Sequence, residues 1–294
     1  MAMERTICLI GFGEAGRTFA QAGAWRARAH AFDAKTDDEG ARAEKLADYG
    51  DAGVSPCLTL ADAVRPARLI LSLVTADAAL DVANAAARAI APGALFLDMN
   101  SVAPQTKQAA AARIEAAGGA YVDVAIMAPV NPARLAVPLL LSGARAAEAG
   151  QALADFGFTN VRQVGDAVGR ASAIKMIRSV MVKGLEALTA ECALAAEAAG
   201  VRAEVLASLD ASRSAGSWSE RTAYNLERMM VHGLRRAAEM EEVVKTLEAF
   251  GTGSAMTRGT VERQRAIGLL GIDRPGATLD DRLEQINGKR ARTA

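Results

Sequence analysis

Six consecutive residues, Gly11, Phe12, Gly13, Glu14, Ala15 and Gly16, spell G-x-G-x-x-G where a short apolar run gives way to a helical pattern. Each glycine has a physical task in holding a dinucleotide. Gly11 permits a tight turn, Gly13 lets backbone N–H groups approach a pyrophosphate, and Gly16 lets helix and strand pack closely. The N–H groups free at a helix start, with the helix dipole, attract phosphate without any lysine. By themselves the glycines also fit a tight turn in any α/β protein. Asp33 tips the balance: it ends a second apolar run, roughly 20 residues beyond the glycines, where a carboxylate accepts from a ribose diol. That carboxylate repels a 2′-phosphate and so favours NAD. Lys35, two residues on, would compensate, which leaves NADP possible.

A second set of groups lies far along the chain. Lys175, Arg178 and Ser179 fall at i, i+3 and i+4 of a helical pattern, so they share a face. A lysine partly desolvated in a cleft has its pKa drawn towards acid–base work. A surface lysine on an amphipathic helix is the competing reading, and spacing does not choose between them. His232 sits beside Arg235 and Arg236 at helical spacing, either lining a pocket or forming a solvated face paired with Glu239 and Glu241. Trp218 and Tyr224 read as helical core or as aromatics packed over a substrate, and Met229, Met230 and Met240 as core fillers rather than a binding surface.

The elements that must position these groups follow from periodicity. Residues 7–10 form a continuous apolar run, as a strand buried on both faces would. Further strands are expected over 28–32, 67–74, 94–99, 121–126, 139–142 and 161–164, and helices over 58–64 and 75–90. Strands alternating with helices predict a doubly wound parallel sheet, an α/β Rossmann domain over residues 1–165. The pattern then changes. Residues 168–200 are nearly all helix formers without proline, roughly 50 Å if continuous. Helical patterning continues to Leu247 with a break near Gly216, breaks again at 251–253, resumes over 254–269 and closes in one more short helix. Residues 166–294 therefore read as an all-α C-terminal domain entered by a long helix. The basic residues 288–294 read as a frayed end.

Composition narrows the function. At 294 residues there is room for two domains and an ample core. Lys+Arg and Asp+Glu balance at 34 each, so no global charge favours nucleic acid or an anionic membrane. No apolar run approaches the roughly 18 residues that span a bilayer, and a signal peptide is the poorer reading of the N-terminus. Cys8, Cys57 and Cys192 lie far apart in apolar stretches and read as buried free thiols of a reducing compartment, which points to the cytoplasm. With only two histidines and no close Cys/His spacing, no metal site is expected.

The arrangement resembles the β-hydroxyacid dehydrogenase family, relatives of 6-phosphogluconate dehydrogenase, over nearly the whole chain. Beyond the glycine turn, Asp98-Met99-Asn100-Ser101-Val102-Ala103-Pro104 is similar to the family's D-x-S-[ST]-x-x-P, where substrate is held. Tyr121 to Pro129 stands like its D-A-P-V-S-G-G, with Asp123 matched and Met127, Ala128 and Pro129 at the Ser-Gly-Gly positions. Residues 166–179 resemble its G-x-x-G-x-G-x-x-x-K-x-x-N-N. There Gly169 is in register, Lys175 stands at the catalytic lysine, and Arg178 and Ser179 stand at the two asparagines. Residues 232–241, His-Gly-Leu-Arg-Arg-Ala-Ala-Glu-Met-Glu, resemble a poorly characterised branch of the family.

The resemblance implies an NAD- or NADP-dependent oxidoreductase acting on a small β-hydroxy acid or a related hydroxy compound, with Lys175 as general acid/base. Cofactor would lie from Gly11 to Val74–Thr75 and reach Asn100. Substrate would meet Asn100, Ser101, Met127, Arg178, Ser179 and His232. A homodimer through the helical domain is also implied. Two alternatives stay open: an imine or keto reductase, and a non-catalytic dinucleotide sensor, against which the retained Lys175 argues.

Overall fold

A computed structural model gives the fold, describing residues 6–211 and 217–291. The chain divides into two compact units, Met1–Val180 and Met181–Ala294. The first holds one eight-stranded sheet in the order β3-β2-β1-β4-β5-β6-β7-β8. Its strands are β1 (Ile7–Ile10), β2 (Ala29–Phe32), β3 (Ser55–Pro56), β4 (Leu69–Ser72), β5 (Leu95–Asp98), β6 (Ala120–Ile126), β7 (Leu139–Ser142) and β8 (Val161–Gly165). The helices are α1 (Glu14–Gly23), α2 (Glu39–Ala52), α3 (Leu60–Val64), α4 (Ala79–Ala87), α5 (Pro104–Ala116) and α6 (Ala146–Asp155), with α7 (Arg170–Ala198) running on into the second unit.

The apolar run of β1 serves two cores. Ile7 and Leu9 join Phe19 of α1, Tyr49 of α2 and Leu153 of α6 on one face of the sheet. Cys8 and Ile10 join Val64 of α3, Ala83 of α4 and Ile114 of α5 on the other. Alternate residues of a strand point to opposite faces, so a strand covered on both sides must be apolar throughout. Burying each large apolar side chain contributes roughly 1.5–3 kcal/mol. β1 lies between β2 and β4 in parallel register, and the chain winds to either side from there. In such sheets ligands bind outside the strand ends at that reversal.

The expected strands all form, but β2 starts at Ala29, β4 covers only Leu69–Ser72 and β5 only Leu95–Asp98 of the runs read, and the two-residue β3 was not expected. One expectation is corrected: the sheet is parallel through β6, and β7 and β8, parallel to each other, run antiparallel to the other six. Helix 75–90 is shorter than read, because residues 75–78 form a turn ahead of α4. Of the three cysteines, all free, Cys8 is buried, Cys57 is half-buried and Cys192 is exposed, so the buried-thiol reading holds for Cys8 alone.

The second unit is helical: the later part of α7, then α8 (Arg202–Ala211), α9 (Trp218–Ala249), α10 (Ala255–Gly268) and α11 (Leu279–Arg290). The break expected near Gly216 lies outside the described residues. Helices α9 and α10 cross at two glycines. A Cβ on Gly233 would fall 2.4 Å from the Gln264 carbonyl oxygen, and one on Gly268 would fall 2.6 Å from the Leu234 nitrogen. Met230, Ile267, Ile272 and Ile286 form the core beside that crossing. Glu191 of α7 accepts from the N–H groups of Met256 and Thr257, each at 2.9 Å, and so caps α10. The basic residues Lys289 and Arg290 complete α11 rather than fraying.

Candidate cofactor and proton-transfer site

The glycine turn sits directly between the ends of β1 and α1. Gly11 has φ +87°, and a Cβ there would lie 2.5 Å from the Leu73 carbonyl oxygen. A Cβ on Gly16 would lie 2.7 Å from the Gly11 carbonyl oxygen. The fold itself demands both glycines. Gly13 differs: its φ is −81°, and a Cβ there would meet nothing within 4 Å. The chain gives no internal reason for glycine at that position, whereas a ligand lying against the backbone would. No side chain caps α1, so its first N–H groups are left for an anion.

Asp33 stands at the tip of β2, beside this turn. Its Oδ2 accepts from Phe12 N–H at 2.7 Å and its Oδ1 from Lys35 N–H at 2.9 Å. A carboxylate offers about four acceptor positions, so the two bonds orient Asp33 and leave capacity for a ribose diol. The Lys35 side chain is exposed. Beneath the turn, buried Lys45 donates to the Phe12 carbonyl oxygen at 2.9 Å and pairs with Asp48 at 2.7 Å. Hydrogen bonding from Lys45, with help from Arg17, holds the Asp48 carboxyl below its ordinary value. Glu14 is exposed at the first position of α1 and its carboxylate accepts from the Asn131 amide at 3.4 Å. These features fit a dinucleotide: Gly11, Gly13, Glu14, Ala15 and Asp33 would hold its pyrophosphate and ribose.

At the end of β4, Val74 is half-buried and gives its N–H to Asn100 Oδ1 at 2.7 Å. Thr75 is exposed, and hydrogen bonding from its hydroxyl lowers the pKa of the exposed Asp77 carboxyl. Asn100 is buried, and its amide nitrogen donates to Ser72 Oγ at 3.0 Å. Its amide thus joins the ends of β4 and β5 through one acceptor position and one N–H, of the two of each that an amide carries.

The next residue, Ser101, is exposed and meets the group singled out far along the chain: Lys175 Nζ donates to Ser101 Oγ at 2.6 Å. A half-buried amine on a hydroxyl beside the strand ends has the makings of a proton-transfer pair. Ser179 lies one turn on but turns its hydroxyl back to the Lys175 carbonyl oxygen at 3.0 Å. Arg178 is exposed on the same helix. Met127 packs with Ala125, Leu140 and Ala171, so its side chain is committed to core. His232 is half-buried on α9 of the helical unit.

Sequence reasoning missed the charged layer under this pair. Lys107 of α5 is wholly buried. Its Nζ donates to the carbonyl oxygen and Oδ1 of Asp98, at 2.5 and 2.9 Å, and lies 3.4 Å from Asp123 Oδ1. Asp123 Oδ2 accepts from Gly169 N–H at 3.2 Å and from Ser172 N–H and Oγ at 2.9 and 3.0 Å, and so caps α7. Tyr121 donates its hydroxyl to Asp98 Oδ2 at 2.7 Å. Burial first, then the Asp98 charge, pushes the Tyr121 phenol well above its ordinary value. The signal available was three residues, Asp98, Tyr121 and Asp123, set within or at the ends of otherwise apolar runs; Lys107, between Thr106 and Gln108, gave none.

Comparison with known proteins bears on the same residues. Residues 6–165 match the family described as the NAD binding domain of 6-phosphogluconate dehydrogenase. Residues 196–267 match a domain of unknown function, DUF1932. A conserved hypothetical protein from Sinorhizobium meliloti 1021 is 37% identical, with 99% of this chain and 97% of that one covered and a TM-score of 0.62. A conserved protein of unknown function, described as structurally similar to 3-hydroxyacid dehydrogenases, is 27% identical over 95% and 99% of the two chains, TM-score 0.58. An imine reductase from Streptomyces aurantiacus shares the fold at 20% identity over 95% and 99% of the chains, TM-score 0.71.

Proposed function

The chain belongs to the family of the NAD binding domain of 6-phosphogluconate dehydrogenase, and from that premise we propose that it moves hydride between a nicotinamide cofactor and a small β-hydroxy acid, with Lys175 as the proton carrier. The family is one of NAD(P)-binding oxidoreductases; the hydroxy-acid substrate and the role of Lys175 are our reading. The observation that carries it is the 2.6 Å hydrogen bond from Lys175 Nζ to Ser101 Oγ, beside the strand ends that lead from the glycine turn.

When bound, the cofactor supplies the hydride acceptor or donor. The chain's own work is to move the matching proton. Oxidation of a secondary alcohol needs a base for the hydroxyl proton, and reduction needs an acid for the nascent alkoxide. Lys175 Nζ fills either role according to its protonation. Ser101 Oγ holds the amine and offers a hydroxyl to the same substrate oxygen. Exposed Arg178, one turn along, suits a substrate carboxylate. Asp33, already oriented by two backbone donors, favours NAD over NADP.

A second reading is imine reduction. It is favoured by Met127, Ala128 and Pro129, which leave the loop after β6 without the Ser-Gly-Gly hydroxyl and glycines. Carboxylate binding by that loop would then be weak. We also infer a homodimer through the helical unit, whose Leu194, Leu209, Trp218 and Tyr224 are exposed. The free cysteines suit a cytoplasmic setting. The test is a panel of β-hydroxy acids, β-keto acids and cyclic imines scored by reduced-cofactor absorbance. Turnover of a hydroxy or keto acid supports the first reading, and turnover of imines alone supports the second. Cofactor binding with no turnover at all would make the protein a sensor.

A further inference from the structure

We propose that the buried Lys107 ammonium is the positioning group for the Lys175–Ser101 pair, setting both partners through the two carboxylates it bridges. Asp98 and Asp123 are register partners on adjacent parallel strands, so their carboxylates lie side by side on one face of the sheet. Like charges so placed repel, and both are wholly buried. Lys107 Nζ, 2.9 Å from one and 3.4 Å from the other, is the counter-charge between them.

Each carboxylate then fixes one member of the pair. Asp98 Oδ1 accepts the N–H of Asn100 at 2.9 Å, which sets the backbone that presents Ser101. Asp123 Oδ2 accepts the N–H groups of Gly169 and Ser172, which sets the first turn of α7. Ser172 and Lys175 are three residues apart on that helix and lie on neighbouring positions of one face. A hydrogen bond to Asp98 and an ion pair with Asp123 leave Lys107, and the two chains of contacts meet again where Lys175 touches Ser101. Without Lys107, two adjacent buried anions would face no cation and would repel each other. Displacing Asp123 weakens its hold on α7, displacing Asp98 weakens its hold on Asn100, and either loosens the pair.

The reading of Lys175 as proton carrier gives this arrangement its catalytic use, but the positioning is testable without turnover. The readout is trace acetylation of the full chain with acetic anhydride across alkaline pH, followed on the Lys175 peptide by mass spectrometry. NADH titration runs alongside to check the glycine turn. In Lys107→Met the surplus negative charge should hold Lys175 protonated to higher pH and slow its labelling about tenfold, the factor for one pKa unit, while NADH still binds. Adding Asp98→Asn returns the layer to its original net charge and should restore the parent profile, which loss of packing would not do. Should Lys107→Met fail to fold, Ser172→Ala, which removes one hydroxyl from the same chain of bonds, should shift the profile in the same direction by less. An Lys175 profile identical to the parent in a variant that binds NADH overturns the proposal, as does an Asp98→Asn addition that worsens the shift. If the profile moves while Lys175→Ala turns over as well as the parent, the positioning stands and the proton-relay reading falls.

Discussion

At the scale of single residues, the three glycines of the turn separate into two kinds. Gly11 and Gly16 are required by the fold, since a Cβ on either would strike a backbone oxygen. Gly13 faces open space and is required only if something binds there. Gly13→Val should therefore cost about 1 kcal/mol or less, the scale of a helix N-cap change, and abolish NADH binding. Gly16→Val should cost about 1–3 kcal/mol or more through overpacking. Paired thermal melts and NADH titrations check this, and normal NADH affinity in Gly13→Val would remove the dinucleotide from this loop. Asp33 belongs to the same scale. NADH should bind more tightly than NADPH, and Asp33→Ser should narrow or reverse that gap; tighter NADPH binding by the parent would hand the preference to Lys35. The glycines and Asp33 were legible because their residue types are tied to backbone geometry. Lys107 was not. A lysine in an alanine-rich helix reads as a solvated charge, and only the fold brings Asp98 and Asp123 to it.

At the scale of elements, what the sequence hides is direction and capping. The runs that became β6 and β7 look alike whichever way the chain returns, so the antiparallel pairing of Asp123 with Ser142 could not be read from periodicity. The capping of α10 by Glu191 crosses 65 residues and is equally invisible. It carries a pH dependence. Burial pushes the Glu191 carboxyl up, but the Thr257 hydroxyl and the N–H groups of Met256 and Thr257 outweigh it and hold the group below its ordinary value. A depressed folded value means the contribution is full above the unfolded value of about 4.3 and is lost as pH falls through the folded one. Urea melts should show Glu191→Gln less stable than the parent by about 1 kcal/mol at neutral pH, with the gap narrowing once the pH falls below the unfolded value and closing as it passes through the lower folded one. A gap that persists in acid would mean that the carboxylate charge is not what caps α10.

At the scale of the whole molecule, the switch from alternating strands and helices to helices alone was readable from the change of period after residue 165, but the place where the compact units divide was not. The long α7 carries the chain through the boundary between the two compact units at Val180 and Met181. The pair formed by Lys175 and Ser101 belongs wholly to the first unit, 74 positions apart in sequence and 2.6 Å apart in space. The account therefore rests on one group in that unit, and one measurement decides it: the kcat of Lys175→Ala against the parent, on the first substrate the panel yields, with NADH affinity measured in parallel. A general acid–base group is typically worth about 10²–10⁴-fold, so kcat should fall by that factor while NADH affinity stays as in the parent. Lys175→Arg should not rescue it, since a guanidinium remains protonated at working pH. Turnover of Lys175→Ala within a few-fold of the parent would contradict the account and make Lys175 a structural residue.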